Sequence, residues 1–242
     1  MSNGKRLFSI RGCPVVEAVG ELALGEGEAV FLVGPNGSGK TSLLRFIAFG
    51  DAPYPINQCS LSIDGNLLIN PGGLGLFRRH IQYIPSERMV FPDLTVEENI
   101  KLGIMIGGIP RNERDKILGE IYGLFPIFAS RRRQLAGTLS GGEQKMLSIA
   151  RALAARARIL LVDEPSAGLA PKAIDTIYSI FRDLRAKGVS LLVAEQSLWP
   201  IIRNIDSVDT IYVIHNMRIV NRQSPGDIMG SDIARKYFGL RR

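Results

Sequence analysis

No stretch of the 242-residue chain runs uncharged for the length that a bilayer-spanning helix needs. Nor does the first stretch read as a secretory signal: Lys5 and Arg6 supply positive charge, but Arg11, Glu17 and Glu21 interrupt any apolar run behind them. Only two cysteines occur, Cys13 and Cys59, at a spacing unlike a metal site. They are expected as reduced structural thiols, which points to the cytosol. Histidine is equally scarce, confined to His80 and His215. Repeats and low-complexity tracts are missing, and 45% hydrophobic with 22% charged residues excludes a disordered chain. The net charge of +7 is too small a surplus to argue for nucleic acid or anionic lipid, because plain globular domains carry as much.

What is present is an alternation of buried strands and helices. Apolar runs at 29–33, 159–162 and 189–194 read as strands covered on both faces, the pattern of a parallel sheet between helices. Pro171, at a first helical position, precedes Ile174, Ile177, Phe181 and Leu184 on one face, and Gly188 offers the stop. Residues 95–137 instead read as consecutive helices, with Ile117, Ile121 and Leu124 spaced for one buried side. A late strand is expected at 210–214 and a terminal helix at 232–238. The fold class is therefore α/β, with an inserted helical lobe.

Three motifs carry the chemistry. The first, Gly34-Pro35-Asn36-Gly37-Ser38-Gly39-Lys40-Thr41, lies between the strand ending at Val33 and a helix starting at Ser42. Its glycines let successive N–H groups and the helix N-terminus face phosphate oxygens, Lys40 reaches the β and γ phosphates, and Thr41 offers a hydroxyl to Mg2+. A chance glycine-rich turn would not also have the strand before it and the helix after it. The second, Leu139-Ser140-Gly141-Gly142-Glu143-Gln144, opens a helical pattern that Ser140 caps. A serine hydroxyl and two glycine N–H groups at a positive helix end make an anion site, although such a cap alone is a common structural device. The third is Asp163-Glu164, delivered by four apolar residues to the carboxyl end of a buried strand, where ligands sit in open α/β sheets. Asp163 is the candidate magnesium ligand, and Glu164 the candidate general base for an attacking water. An exposed acidic pair capping a strand is the bland alternative.

In this order and at these separations the motifs resemble the ATP-binding subunits of ABC transporters, over residues 30–240. The resemblance implies a single ATP-binding domain over 1–242. Its P-loop NTPase core would comprise 1–94 and 158–242, with a mostly parallel sheet flanked by helices and an N-terminal antiparallel β portion. The inserted α-helical subdomain would be 95–157, including the signature helix that starts after Ser140. ATP and Mg2+ are the implied cofactors. Residues 139–144 would grip the γ-phosphate of ATP bound to the opposite subunit, so that two subunits close head to tail on two nucleotides.

Further segments are similar to one branch, the smaller ATP-binding protein of branched-chain (hydrophobic) amino acid importers. They are residues 91–99, the Arg131-Arg132-Arg133 run with 134–138, Pro165-Ser166-Ala167-Gly168-Leu169-Ala170-Pro171, and Val193-Ala194-Glu195-Gln196. Urea and short-amide importers share much of this pattern. The arginine run reads first as a solvated face and second as a subunit or membrane-domain contact. Where the family places a loop glutamine near the metal, this chain has Ser86. At the switch position, commonly histidine, stands Gln196, whose amide can still donate to the γ-phosphate but cannot carry a proton. A stacking aromatic for adenine falls near Arg11, with Phe8 close by, though a solvent-facing Arg11 and a core Phe8 fit the residues equally well.

The implied partners are a second ATP-binding subunit, either a related paralogue or an identical copy, integral-membrane permease subunits and, indirectly, a solute-binding protein. The expected place is the cytoplasmic face of the membrane. A weak or regulatory ATP-binding subunit is an alternative suggested by Ser86 and Gln196. A soluble ATPase acting on nucleic acid or ribosomes ranks below it, since the chain has one phosphate loop and no coiled-coil insertion; no nucleic acid is expected.

Overall fold

The computed structural model describes residues 6–50, 59–68, 80–87, 89–204 and 210–230. The helix expected at 232–238 lies outside them. Strands β1 (Arg6–Arg11), β2 (Glu21–Gly25), β4 (Ser60–Ile63) and β5 (Asn66–Leu68) form an antiparallel sheet in the order β2-β1-β4-β5. A second, six-stranded sheet holds β3 (Ala29–Val33), β6 (Ile81–Ile84), β7 (Ile159–Asp163), β8 (Ser190–Glu195), β9 (Thr210–His215) and β10 (Arg218–Gln223), in the order β10-β9-β3-β8-β7-β6. All its pairings are parallel except β10 with β9. This is the α/β, P-loop class expected from the motifs.

The period of two in a strand sorts the core into two layers. Val30, Leu32, Ile159, Leu161, Leu192 and Ala194 face the helix α1 (Lys40–Phe49) and the antiparallel sheet. Phe31, Val33, Leu160, Val162, Leu191 and Val193 face the opposite layer. That layer contains α2 (Val96–Ile106), α3 (Arg114–Leu124), α4 (Pro126–Ser130), α5 (Gly141–Ala154) and α6 (Pro171–Ala186). Because both faces are covered, these strands can be continuously apolar, which is why the sequence shows runs there and no alternation. The short helices α7 (Trp199–Asn204) and α8 (Pro225–Gly230) complete the described chain.

The helical stretch at 95–137 holds α2, α3 and α4, and an antiparallel bridge between Thr95 and Leu135 brings its two ends together. Thr95 caps α2 in a reciprocal box with Glu98, satisfying N–H groups that a helix start otherwise leaves open. Asn99, fully buried, accepts from Phe91 N–H (2.9 Å) and donates to the carbonyls of Phe91, Leu94 and Thr95. Its side chain thereby holds the whole 91–95 turn. At the other end α6 begins with Pro171 and its exit is turned by Gly188 at φ 84°.

One expectation is overturned. Cys13 and Cys59 are joined in a disulfide, with Cα atoms 4.4 Å apart. The cause is register: β1 pairs antiparallel with β4, Arg11 opposite Ser60, and this brings Cys59, next to Ser60, close to Cys13, two residues past Arg11. The bridge closes a loop with a sequence separation of 46, enough for about 3–4 kcal/mol on the chain-entropy account. Replacing both cysteines by alanine should therefore lower the oxidised protein's unfolding free energy by that amount in urea melts. Dithiothreitol should close the gap, and coincident melts without reductant would show that the bridge adds nothing.

Candidate functional site

The phosphate loop is built by a strand that stops and a helix that starts. β3 runs into Gly34, whose N–H still donates to the Glu195 carbonyl of β8 (3.3 Å). A Cβ at Gly34 would run into the Ile214 carbonyl and the Ser38 hydroxyl, so only glycine lets the loop pass under β9. Gly39 sits at φ 103°, a conformation that side chains oppose, and turns the backbone into α1. The helix begins at Lys40, two residues earlier than the sequence suggests. From the other side, the tight hairpin between β9 and β10 braces the loop: Met217 N–H donates to the Ser38 carbonyl (2.8 Å). Asn216 and Met217 hold the positive φ values, 47° and 61°, that such a two-residue turn requires. Sequence reasoning missed this brace, although an asparagine between two apolar runs was a signal for it.

Residues 36–42 together with Glu164 and Met217 line a cavity of roughly 260 Å³. Lys40 lies within it, 4% exposed, and donates to the carbonyls of Gly34 (2.8 Å) and Pro35 (3.1 Å). Its ammonium is also 3.3 Å from the Glu164 carboxylate. Glu164 itself has φ 43°, the left-handed region in which a non-glycine residue is uncommon. Its N–H donates to the Ala194 carbonyl (2.9 Å), and this backbone turn aims the side chain at the loop. Strain of about 1–3 kcal/mol at such a residue is typical of functional sites.

Asp163, fully buried, ends β7. Its Oδ2 accepts from the Tyr83 hydroxyl (2.9 Å), while Oδ1 is buried without a partner. Burial pushes this carboxyl up, and the hydroxyls of Thr41 and Tyr83 oppose the rise. An orphaned carboxylate oxygen beside the Thr41 hydroxyl suits a divalent cation, which prefers hard oxygen ligands. Ser86 meets the site through its backbone: Lys145 donates to the carbonyls of Pro85 (3.0 Å), Ser86 (3.5 Å) and Asp163 (3.4 Å). Lys145 is 1% exposed, and burial pushes its ammonium down to about 8 against the pull of Asp163, Glu195 and Glu164. Gln196 follows β8 as an exposed residue on the same sheet edge.

The Ser140 motif has the expected local geometry. Ser140 caps α5 in a reciprocal box: Glu143 N–H donates to its hydroxyl (3.4 Å), and Ser140 N–H donates to the Glu143 carboxylate (2.9 Å). Arg131, exposed with Arg132 and Arg133, pairs with that carboxylate at 2.9 Å, and Gln144 donates to the Leu139 carbonyl (3.0 Å). Ser140 and Gly141 are exposed, while Gly142 packs against Ala173. None of residues 139–144 lines the 260 Å³ cavity among the described residues. The capped start of α5 is therefore separate from the cavity at this chain's own phosphate loop.

The adenine candidates divide. Phe8 is 1% exposed within the core layer over α1, because β1 is covered on both faces, so its ring offers no face to a base. Arg11 ends the same strand in solvent, its Nε donating to Glu21 at 2.8 Å.

A glycine-rich loop between a buried strand and a helix, with Lys40 and Glu164 lining one cavity and Asp163 ending the strand just before Glu164, defines a P-loop ATP-handling protein. The ABC transporter family model matches residues 20–167. The chain is 37% identical over 195 residues to the high-affinity branched-chain amino acid transport ATP-binding protein BraG of Pseudomonas aeruginosa, covering 81% of this chain and 80% of that protein. It is 32% identical over 221 residues to the lipopolysaccharide export system ATP-binding protein LptB of Haemophilus influenzae, covering 90% and 88%. The solved ATP-binding subunit of an ABC transporter aligns at TM-score 0.74 and 27% identity, over 97% of this chain and 94% of that one. The chain belongs to the ABC transporter ATP-binding family, and it is an ATPase subunit coupled to transport.

Ser140→Ala removes the hydroxyl that accepts from Glu143 N–H and leaves the Ser140 N–H donor in place. It should lower the urea midpoint by the equivalent of about 1 kcal/mol, and an unchanged midpoint would show that the cap does not hold α5.

Proposed function

We propose that this chain powers an importer of branched-chain or related hydrophobic amino acids, binding and hydrolysing ATP on the cytoplasmic face of separate membrane subunits. The ATPase reading is carried by the convergence of Lys40, Glu164 and Asp163 on the phosphate loop. The substrate reading is supported by the likeness to BraG, together with the Glu195-Gln196 and Pro165–Pro171 segments. An amide or urea importer is the second reading, because the same segments suit it. The likeness to LptB, an export component, keeps direction open to test.

In this reading residues 1–242 form one ATP-binding domain, with 1–94 and 158–242 as core and 95–157 as helical subdomain. Residues 34–42 wrap the phosphates, Lys40 leaves Glu164 for the β and γ phosphates, and Glu164, so released, orients the attacking water and takes its proton. Asp163 and Thr41 would hold Mg2+, which when bound neutralises charge between the β and γ phosphates. Gln196 donates its amide to the γ-phosphate, and Arg11 stacks on the adenine. Leu139, Ser140, Gly141, Gly142, Glu143 and Gln144 complete the site of a second ATP-binding subunit, which the exposed Ser140–Gly141 face supports. Permease subunits dock beside α2, where Phe91, Met105 and Ile106 are each half exposed or more and Arg151 stacks on the Phe91 ring at 5.2 Å.

Lys40→Ala should weaken ATP binding on the order of a hundredfold, since it removes the one buried cation among the described residues that line the cavity. A fluorescent ATP analogue titrated into both proteins measures this, and an unchanged curve would remove Lys40 from the phosphate site. Cells carrying Lys40→Ala in place of the wild-type chain, at equal protein level, should lose uptake of labelled leucine, isoleucine and valine. Retained uptake with lost binding would redirect the substrate reading to amides or urea.

A further inference from the structure

Glu195 is a buried carboxylate that the ATP chemistry above does not use. It ends β8 at 1% exposure, one residue before Gln196. Its Oε1 accepts from Ser166 N–H (3.1 Å) and from the Tyr178 hydroxyl (3.1 Å), and its Oε2 accepts from the Ser166 hydroxyl (2.7 Å). Two of the three donors thus come from one residue of the loop that follows Glu164. Tyr178 is fixed in turn, its ring stacked on Phe31 of β3 and against Phe181 of α6. The Glu195 carbonyl meanwhile accepts from Gly34 N–H at the start of the phosphate loop. One residue therefore touches the phosphate loop through its backbone and the 165–170 loop through its side chain.

We propose that Glu195, in its ionised form, is a positioning residue that couples the 165–170 loop to the Glu164–Gln196 edge of the ATP site, so that hydrolysis depends on its hold on that loop. The inference rests on the reading that Glu164 is the base. An ionised carboxylate accepts all three donors at once. A protonated one gives up an acceptor position, and Ser166 N–H and the Tyr178 hydroxyl, both donors, keep Oε1; the Ser166 hydroxyl must then reverse or leave. The charged and titratable groups facing Glu195 are Glu164 from the end of β7, Lys145 from α5 and Tyr178 from α6. Burial pushes the carboxyl up to about 7, with Glu164 adding to the rise and the Ser166 and Tyr178 hydrogen bonds opposing it. The ionised, loop-holding form is therefore lost as pH falls through about 7.

The test is ATP turnover against pH in the complex isolated through a tag on this chain, comparing wild type, Glu195→Gln, Ser166→Ala and the double variant, with Glu164→Gln as control. The wild type should show an acid limb near pH 7. Glu195→Gln imitates the protonated carboxyl, so it should run roughly tenfold slower at pH 8, as expected for losing a charge-assisted hydrogen bond, and lack that limb. Its binding curve for ATP should match wild type, which a merely unfolded variant would not. Ser166→Ala should slow turnover similarly, and the double variant should be no slower than either single change. Wild-type rate and pH profile in Glu195→Gln, or additive losses in the double variant, overturn the inference. If the Glu164→Gln control is then inactive, the inference alone fails; if that control turns over normally, the reading of the site fails with it.

Discussion

The arrangement depends on the parallel pairing of β3, β8 and β7, three strands buried on both faces. Register aligns Val33 with Glu195 and Asp163 with Ala194, so the phosphate loop, the Glu195-Gln196 step and the acidic pair all leave the sheet at one edge. Apolar side chains above and below fix that alignment, because a shift by one residue would turn every side chain to the wrong layer. Polar chemistry is then supplied where the strands end, and each backbone turn there is specific: glycine at 34 and 39, left-handed backbone at Glu164.

Charge at that edge is organised in a low-dielectric setting, where an unpaired group is costly. Three carboxylates, Asp163, Glu164 and Glu195, are balanced by two buried amines. Lys40 stands on the side of the cavity, and Lys145 reaches across from α5 to the carbonyls at the ends of β6 and β7. Since α5 also begins with the Ser140 cap, Lys145 ties that capped helix to the strand that ends in the acidic pair.

Much of this was legible in the sequence because its causes are local or periodic. The runs at 29–33, 159–162 and 189–194 announce buried strands, and the phosphate loop has its meaning in eight consecutive residues. What escaped depends on contacts between distant positions. The disulfide follows from β1–β4 register, across a separation of 46 residues. Lys145 finds Pro85 across 60 positions and Glu195 finds Ser166 across 29, and neither spacing has a local signature. β10 is an edge strand, Arg-Ile-Val-Asn-Arg-Gln, too polar to show a clear alternation. Whether Phe8 stacks on a base or sits in the core stayed open, because the sequence does not show that β1 lies between two other strands and under a second layer.

The central claim is that Glu164 acts on water at a phosphate held by Lys40. The most direct measurement is of nucleotide retained and phosphate released by the isolated complex when Glu164 is replaced by glutamine. The account predicts that ATP stays bound and unhydrolysed, with turnover reduced on the order of a hundredfold or more. Phosphate release at the wild-type rate would contradict it.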